Sequence, residues 1–135
     1  MQNTTNHIKR ELQLTADGSH TLFIPEMDEH YHSVNGAVQE SRHVFIEAGL
    51  HHLERKEITI LEIGFGTGLN AFLTLLDAEA CQRKIHYCSI ELYPLGTDVI
   101  ESLNYGEMLC AGRKDVFHAL HQAEWNVAVQ VTEFF

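Results

Sequence analysis

Ten residues, Leu61 to Asn70 (LEIGFGTGLN), constrain this chain more than any others. Ile58 to Ile63 is mostly β-branched or leucine and reads as a strand covered on both faces. Glycines follow at 64, 66 and 68, and then Leu69, Phe72, Leu73, Leu76 and Ala80 fall on one helical stripe. A strand that enters a helix through a side-chain-free turn can lay its backbone flat against a ligand.

The rest of the chain is read around that unit. Asp17-Gly18 is a hairpin turn signal, flanked by strands at Leu12 to Thr15 and His20 to Ile24. Pro25 ends the hairpin, and a polar stretch through His32 follows. Gly36 to His52 has apolar residues at Ala37, Val38, Val44, Phe45 and Ala48, which predicts an amphipathic helix. Ile85 to Ile90 is the next strand, with Glu91 at its carboxyl end. Pro94 and Gly96 break the chain before a helix over Asp98 to Met108. A shorter helix over Arg113 to His121 turns Val116, Phe117 and Leu120 inward, and Val127 to Val131 predicts a final strand. Alternating strands and helices give an α/β fold with a parallel sheet. Two clear parallel strands are fewer than a doubly wound domain uses, so the sheet is expected to be incomplete. Uncovered apolar surface would then favour self-association.

With 135 residues, 44% of them hydrophobic, one core is the limit, and residues 1–135 are read as one partial domain. Residues 1–32 form a hairpin extension and residues 33–135 a cofactor-binding part. Met1 to Asn6 lacks the basic and apolar stretches of a leader, and no apolar run is long enough to cross a bilayer. Three cysteines without close pairing predict no disulfide framework and a reducing, cytoplasmic setting. A net charge of -10 disfavours an autonomous grip on nucleic acid, which rests on Lys and Arg.

The chemistry sits at the carboxyl ends of the two parallel strands, where open α/β sheets bind ligands. A dinucleotide fingerprint would have glycine or alanine at position 69, where this chain has Leu69. That points to S-adenosyl-L-methionine before NAD. Amide groups opening the helix can hold the cofactor's carboxylate. Glu62 is placed to organise its amino end, and Glu91, 27 residues after Gly64, to accept from both ribose hydroxyls. The predicted cofactor-binding set is Glu62, Gly64, Phe65, Gly66, Thr67, Gly68, Asn70 and Glu91. Each has a plainer reading: a turn kept for packing, a solvated strand end for Glu91, an ion pair for Glu62, a packing ring for Phe65. The histidines at His30-x-His32, His51-His52 and His118-x-x-His121 lack zinc-type spacing and read as surface or capping residues, so no metal is predicted.

HYHSVNGAVQESRHVFIEAGL (His30 to Leu50), ILEIGFGTGLNAFLTLL and SIELYPL together resemble the MnmC-type methyltransferase family, from about Leu12 to the last residue. The resemblance implies a class I, Rossmann-like domain using S-adenosyl-L-methionine. It implies methyl transfer to the aminomethyl group of a modified wobble uridine in tRNA, giving 5-methylaminomethyl-2-thiouridine. It also implies a flavin oxidoreductase as fused domain or pathway partner, and places Ser33 to Glu40 near the mouth of the site. Family members continue past the equivalent of Phe135 into an Asp-Ala-Phe-type segment and Asn-Pro-Glu-Leu-Trp, the region expected to shape the methyl-acceptor pocket. No catalytic residue is therefore assigned. The alternatives kept open are a non-catalytic cofactor-binding fragment and, less favoured, an NAD-dependent oxidoreductase.

Overall fold

A computed structural model describes residues 8–135. The reading of Met1 to Asn6 as free of a leader concerns residues outside that range. Two small sheets share the core, and helices fill the space between them. The hairpin pairs β1 (Glu11–Leu14) with β2 (His20–Ile24) in antiparallel register, Leu12 opposite Leu22. Gly18 turns the chain at a φ of 85°. Past Pro25 the chain folds back as a third, two-residue strand, β3 (Glu29–His30), which the polar composition concealed.

Asp17 joins this sheet to the next element. Its carboxylate accepts from Ser19 N–H (2.9 Å), the Thr15 hydroxyl (2.8 Å) and Gln39 N–H (2.9 Å). The last of these lies in the first turn of α1 (Ala37–Ser41), so one side chain closes the hairpin and caps the helix. The expected single helix over Gly36 to His52 is instead broken. After α1 the chain widens into a π-turn, Arg42–Glu47, with Ala48 N–H reaching the His43 carbonyl at 2.9 Å, and ends in a 3-10 turn, Leu50–His52. The extra residue per turn moves the buried face to Ser41, Ile46 and Leu50, so Val44 and Phe45 are about half exposed rather than inward.

β4 (Glu57–Ile63) and β5 (Lys84–Ile90) form the parallel pair, aligned from Glu57 opposite Lys84 to Ile63 opposite Ile90. Between them runs α2 (Leu69–Cys81), whose Leu69, Phe72, Leu73 and Leu75 are buried. Leu76 is half-buried and Ala80 exposed, so the buried surface is broader than the predicted stripe and shifted toward Ala71 and Ala78. Both strands alternate in burial, which corrects the expectation of two covered faces. Ile58 and Ile85 point into the core, while Leu61, Ile63 and Ile90 on the opposite face are 64%, 74% and 58% exposed. The described residues provide a helical layer over one face only.

The helix expected over Asp98 to Met108 is two: α3 (Thr97–Ser102) and α4 (Tyr105–Cys110). Asn104 sits at the break because its side chain is engaged with the hairpin, accepting from His20 N–H at 3.0 Å and donating to the Gly18 carbonyl at 2.8 Å. Then α5 (Lys114–Gln122) buries Val116, Phe117 and Leu120 as expected. Val127 to Val131 is not a strand. A β-branched run needs a ladder to pair with, and the open edge of β5 is met further on, where Ile85 N–H donates to the Phe134 carbonyl at 2.8 Å. All three cysteines are free. No described helix is long and apolar enough to cross a membrane.

Candidate functional site

The turn begins as a continuation of the sheet. Gly64 N–H donates to the Ile90 carbonyl at 2.7 Å, after which the chain leaves the ladder with φ values of 86°, 54° and 75° at Gly64, Gly66 and Gly68. Such angles strain any residue with a Cβ. At Gly68 space forbids one as well, because a Cβ there would lie 2.8 Å from His121 Nε2 and 3.1 Å from the Phe65 ring. Gly68 is also the residue from which α2 starts.

Glu91, at the end of β5, faces this turn. Its carboxylate accepts from Gly66 N–H at 2.9 Å and from Tyr93 N–H at 2.7 Å. An ionised carboxylate offers about four acceptor positions, so these two bonds leave room for further donors. Glu62 lies on the neighbouring strand, accepting from the Ser89 hydroxyl (2.8 Å) and the Asn70 side-chain amide (3.3 Å). Burial raises the Glu62 carboxyl above the ordinary carboxylate range. Hydrogen bonds from Ser89, Tyr87 and Asn70 oppose that rise, and the charge of Glu91 adds to it. Among the described residues neither Glu62 nor Glu91 has an ion-pair partner. Arg10 binds the Tyr31 hydroxyl and the Tyr93 carbonyl instead. Two carboxylates without a counter-charge make a place suited to a cation and unsuited to a diphosphate.

The predicted residues thus converge around one loop, each in a distinct setting. Phe65 is half-buried, set edge-on to His121 at 5.1 Å and to Trp125 at 6.3 Å. Thr67 is buried in the turn. The Asn70 Oδ1 atom is buried and has no hydrogen-bond partner. Beyond Phe65 the segment after α5 leaves an apolar groove along β5, lined by Ile90, Trp125, Val127 and Val129.

Known proteins share this arrangement of sequence. The chain is 36% identical over 99 residues to the tRNA 5-methylaminomethyl-2-thiouridine biosynthesis bifunctional protein MnmC of Magnetococcus marinus, covering 69% of this chain and 14% of that protein. It is 32% identical over 123 residues to the protein of the same name from Cupriavidus necator, covering 86% of this chain and 18% of the relative. Among solved structures it superposes on MNMC2 from Aquifex aeolicus with a TM-score of 0.59 at 35% identity, over 67% of this chain and 32% of that one. The chain belongs to the MnmC-type family. No family model matches it. It spans less than a fifth of the curated relatives, 14% and 18% of the two compared.

Two residues of this MnmC-type chain escaped the sequence reading. His32 Nε2 lies 2.6 Å from the Thr67 hydroxyl, and His121 Nε2 lies 3.0 Å from the Thr67 carbonyl. Their spacing predicts surface or capping histidines; both instead pack against the glycine turn. Burial lowers each imidazole to about 4. The one available signal was position: His32 directly precedes the Ser33 to Glu40 segment that the resemblance placed at the mouth. A further cluster, His51, Asp77 and Cys81, brings three donor atoms within 4.8 Å of one another. Its geometry is accounted for by hydrogen bonds to Asp77 from His51 (2.6 Å) and Cys81 (3.9 Å).

Proposed function

We propose that this chain is the cofactor-holding part of a class I, Rossmann-like methyltransferase. Of the expected hairpin extension over residues 1–32, residues 1–7 lie outside the described range; residues 8–32 act as that extension and residues 33–135 as the cofactor-binding part. The cofactor is S-adenosyl-L-methionine, and the longer protein's acceptor is the aminomethyl group of a tRNA wobble uridine, yielding 5-methylaminomethyl-2-thiouridine. A flavin oxidoreductase, fused or separate, serves the same pathway, and the setting is the cytoplasm.

One observation supports the reading: Glu91 accepts from Gly66 N–H, so the acidic strand end adjoins the glycine turn, with Glu62 on the neighbouring strand beside Asn70. Glu91 has acceptor capacity left for a ribose diol, and the turn presents backbone without side chains. The Glu62 carboxylate favours an ammonium or sulfonium charge. NAD would instead bring a diphosphate toward two unpaired carboxylates. The cofactor supplies an electrophilic methyl group; the residues of this chain bind and orient it. The acceptor amine, with an ordinary pKa of about 10.4, must also lose a proton before it attacks. No residue described here is assigned that task.

Isothermal titration of the chain with S-adenosyl-L-methionine, S-adenosylhomocysteine and NAD tests the reading. Binding of the first two without NAD is expected; NAD binding alone would overturn it. A methylation assay on tRNA bearing the aminomethyl group then separates an active chain from a non-catalytic cofactor-binding one. The second reading is favoured by the open sheet face at Leu61, Ile63 and Ile90.

A further inference from the structure

We infer that His32 and His121 are positioning residues that fix Thr67 from two sides and thereby hold the glycine turn in its ligand-ready shape. The inference rests on the cofactor-site reading above and adds what keeps that site formed.

The two imidazoles come from separate parts of the fold. His32 follows β3, and His121 is in the last turn of α5. They lie 35 and 54 residues from Thr67 in sequence, yet both meet that one residue. Thr67 stands between Gly66 and Gly68, both at positive φ. A glycine-rich loop has more backbone freedom to lose than any other, so ordering it opposes binding. If the turn were loose, ligand binding would have to supply that ordering; a turn already fixed binds more tightly.

The contacts also define proton positions. A carbonyl only accepts, so His121 must donate from Nε2–H to Thr67, which places its lone pair on Nδ1. The Thr67 hydroxyl meets His32 independently of its carbonyl, so the residue is held at main chain and side chain together. Gly68 completes the fit, because the imidazole of His121 occupies the place where a Cβ would stand. The Phe65 ring backs His121 and touches Trp125, the sole tryptophan of the chain. Changes in the turn are therefore visible in its fluorescence.

The test titrates the full chain with S-adenosylhomocysteine, following Trp125 emission and heat, alongside thermal unfolding. His121→Leu removes the donor and keeps bulk, and about tenfold weaker binding is expected. His121→Gln places an amide N–H near the Nε2 position and is expected to recover most of that loss. Thr67→Val deletes the hydroxyl that meets His32 and Tyr105 and should weaken binding about fivefold. A purely structural role predicts that affinity and unfolding temperature fall together in all three, without rescue by Gln; that pattern overturns the inference. If wild type binds and all three variants match it, the positioning role falls while the cofactor site stands. If wild type does not bind, the cofactor reading itself fails and takes the inference with it. Should His121→Leu not fold, Thr67→Val decides between the same outcomes.

Discussion

Asp17 in the hairpin and Glu62 beside the glycine turn are both partly buried carboxylates, and the fold treats them oppositely. Burial alone would raise Asp17, but the hydroxyl and N–H of Ser19, the N–H of Gln39 and the hydroxyl of Thr15 outweigh it and hold the group down to about 2. Glu62 receives hydrogen bonds from Ser89, Tyr87 and Asn70, but with deeper burial, a second carboxylate nearby and no ion-pair partner among the described residues, its carboxyl is raised. The difference separates two uses of a buried charge. A carboxylate whose acceptor positions are filled by its own chain is a structural tie. One whose carboxyl stays raised by burial beside a second carboxylate is the kind of group the proposed cofactor site would use.

The sharpest way to break the comparison is Asp17→Ala. It unties the hairpin from α1 and leaves Ser19 N–H and Gln39 N–H without their acceptor, so a loss of about 3 kcal/mol is expected from chemical denaturation. A cost within about 0.5 kcal/mol, as for an ordinary surface residue, would show that the network is not a tie. Gly68→Ala comes next. The left-handed backbone costs about 1–2 kcal/mol, and the contact with His121 adds to it. Unfolding should show a loss of about 2 kcal/mol, and calorimetry should show S-adenosyl-L-methionine binding lost.

Acid separates the two regions in sequence. His32 and His121 are lowered to about 4, so between their ordinary value near 6.5 and about 4 the unfolded chain binds protons that the folded one does not. Stability therefore falls as pH drops through that window, by about 1 kcal/mol per pH unit for each imidazole. Asp17 acts lower: its contribution is present above its ordinary value and disappears as pH falls through about 2. Urea midpoints between pH 7 and pH 3 should thus decline before Asp17 begins to titrate. A flat profile down to pH 4 would contradict the burial of the two histidines.

The sequence was most legible where local chemistry and fold agree. The Asp17-Gly18 turn, the strand through Ile63, the glycine turn and α2 follow from residues close together in the chain, and the meeting of Gly66 with Glu91, 25 residues on, follows from pairing the two parallel strands. What sequence concealed depends on distant partners. The π-turn that rotates Val44 and Phe45 outward and the break at Asn104 are set by contacts with α2 and the hairpin. Val127 to Val131 has strand composition but no ladder. His32 and His121 have no spacing to betray them, because Thr67 brings them together only in three dimensions. The open face of β4 and β5 was missed since a run of apolar residues reads alike whether one face or both are covered.

The finest test of the comparison is Glu62→Gln, where the predicted effect on the fold is smallest. A carboxyl raised in the folded state binds its proton more tightly there than in the unfolded chain. Its unfavourable effect on stability is therefore absent at low pH and sets in as pH rises through the folded pKa. The neutral amide removes that burden, so at pH 7 the variant should be as stable as wild type or more so, by no more than about 1 kcal/mol. Affinity should move the other way, weakening about tenfold for S-adenosyl-L-methionine because an ammonium or sulfonium loses its counter-charge. Asp17→Asn should show the reverse pairing, with stability lost and affinity retained in whatever fraction stays folded. If Glu62→Gln instead unfolds the chain while leaving binding intact, Glu62 is a tie like Asp17, and the distinction between the two carboxylates does not hold.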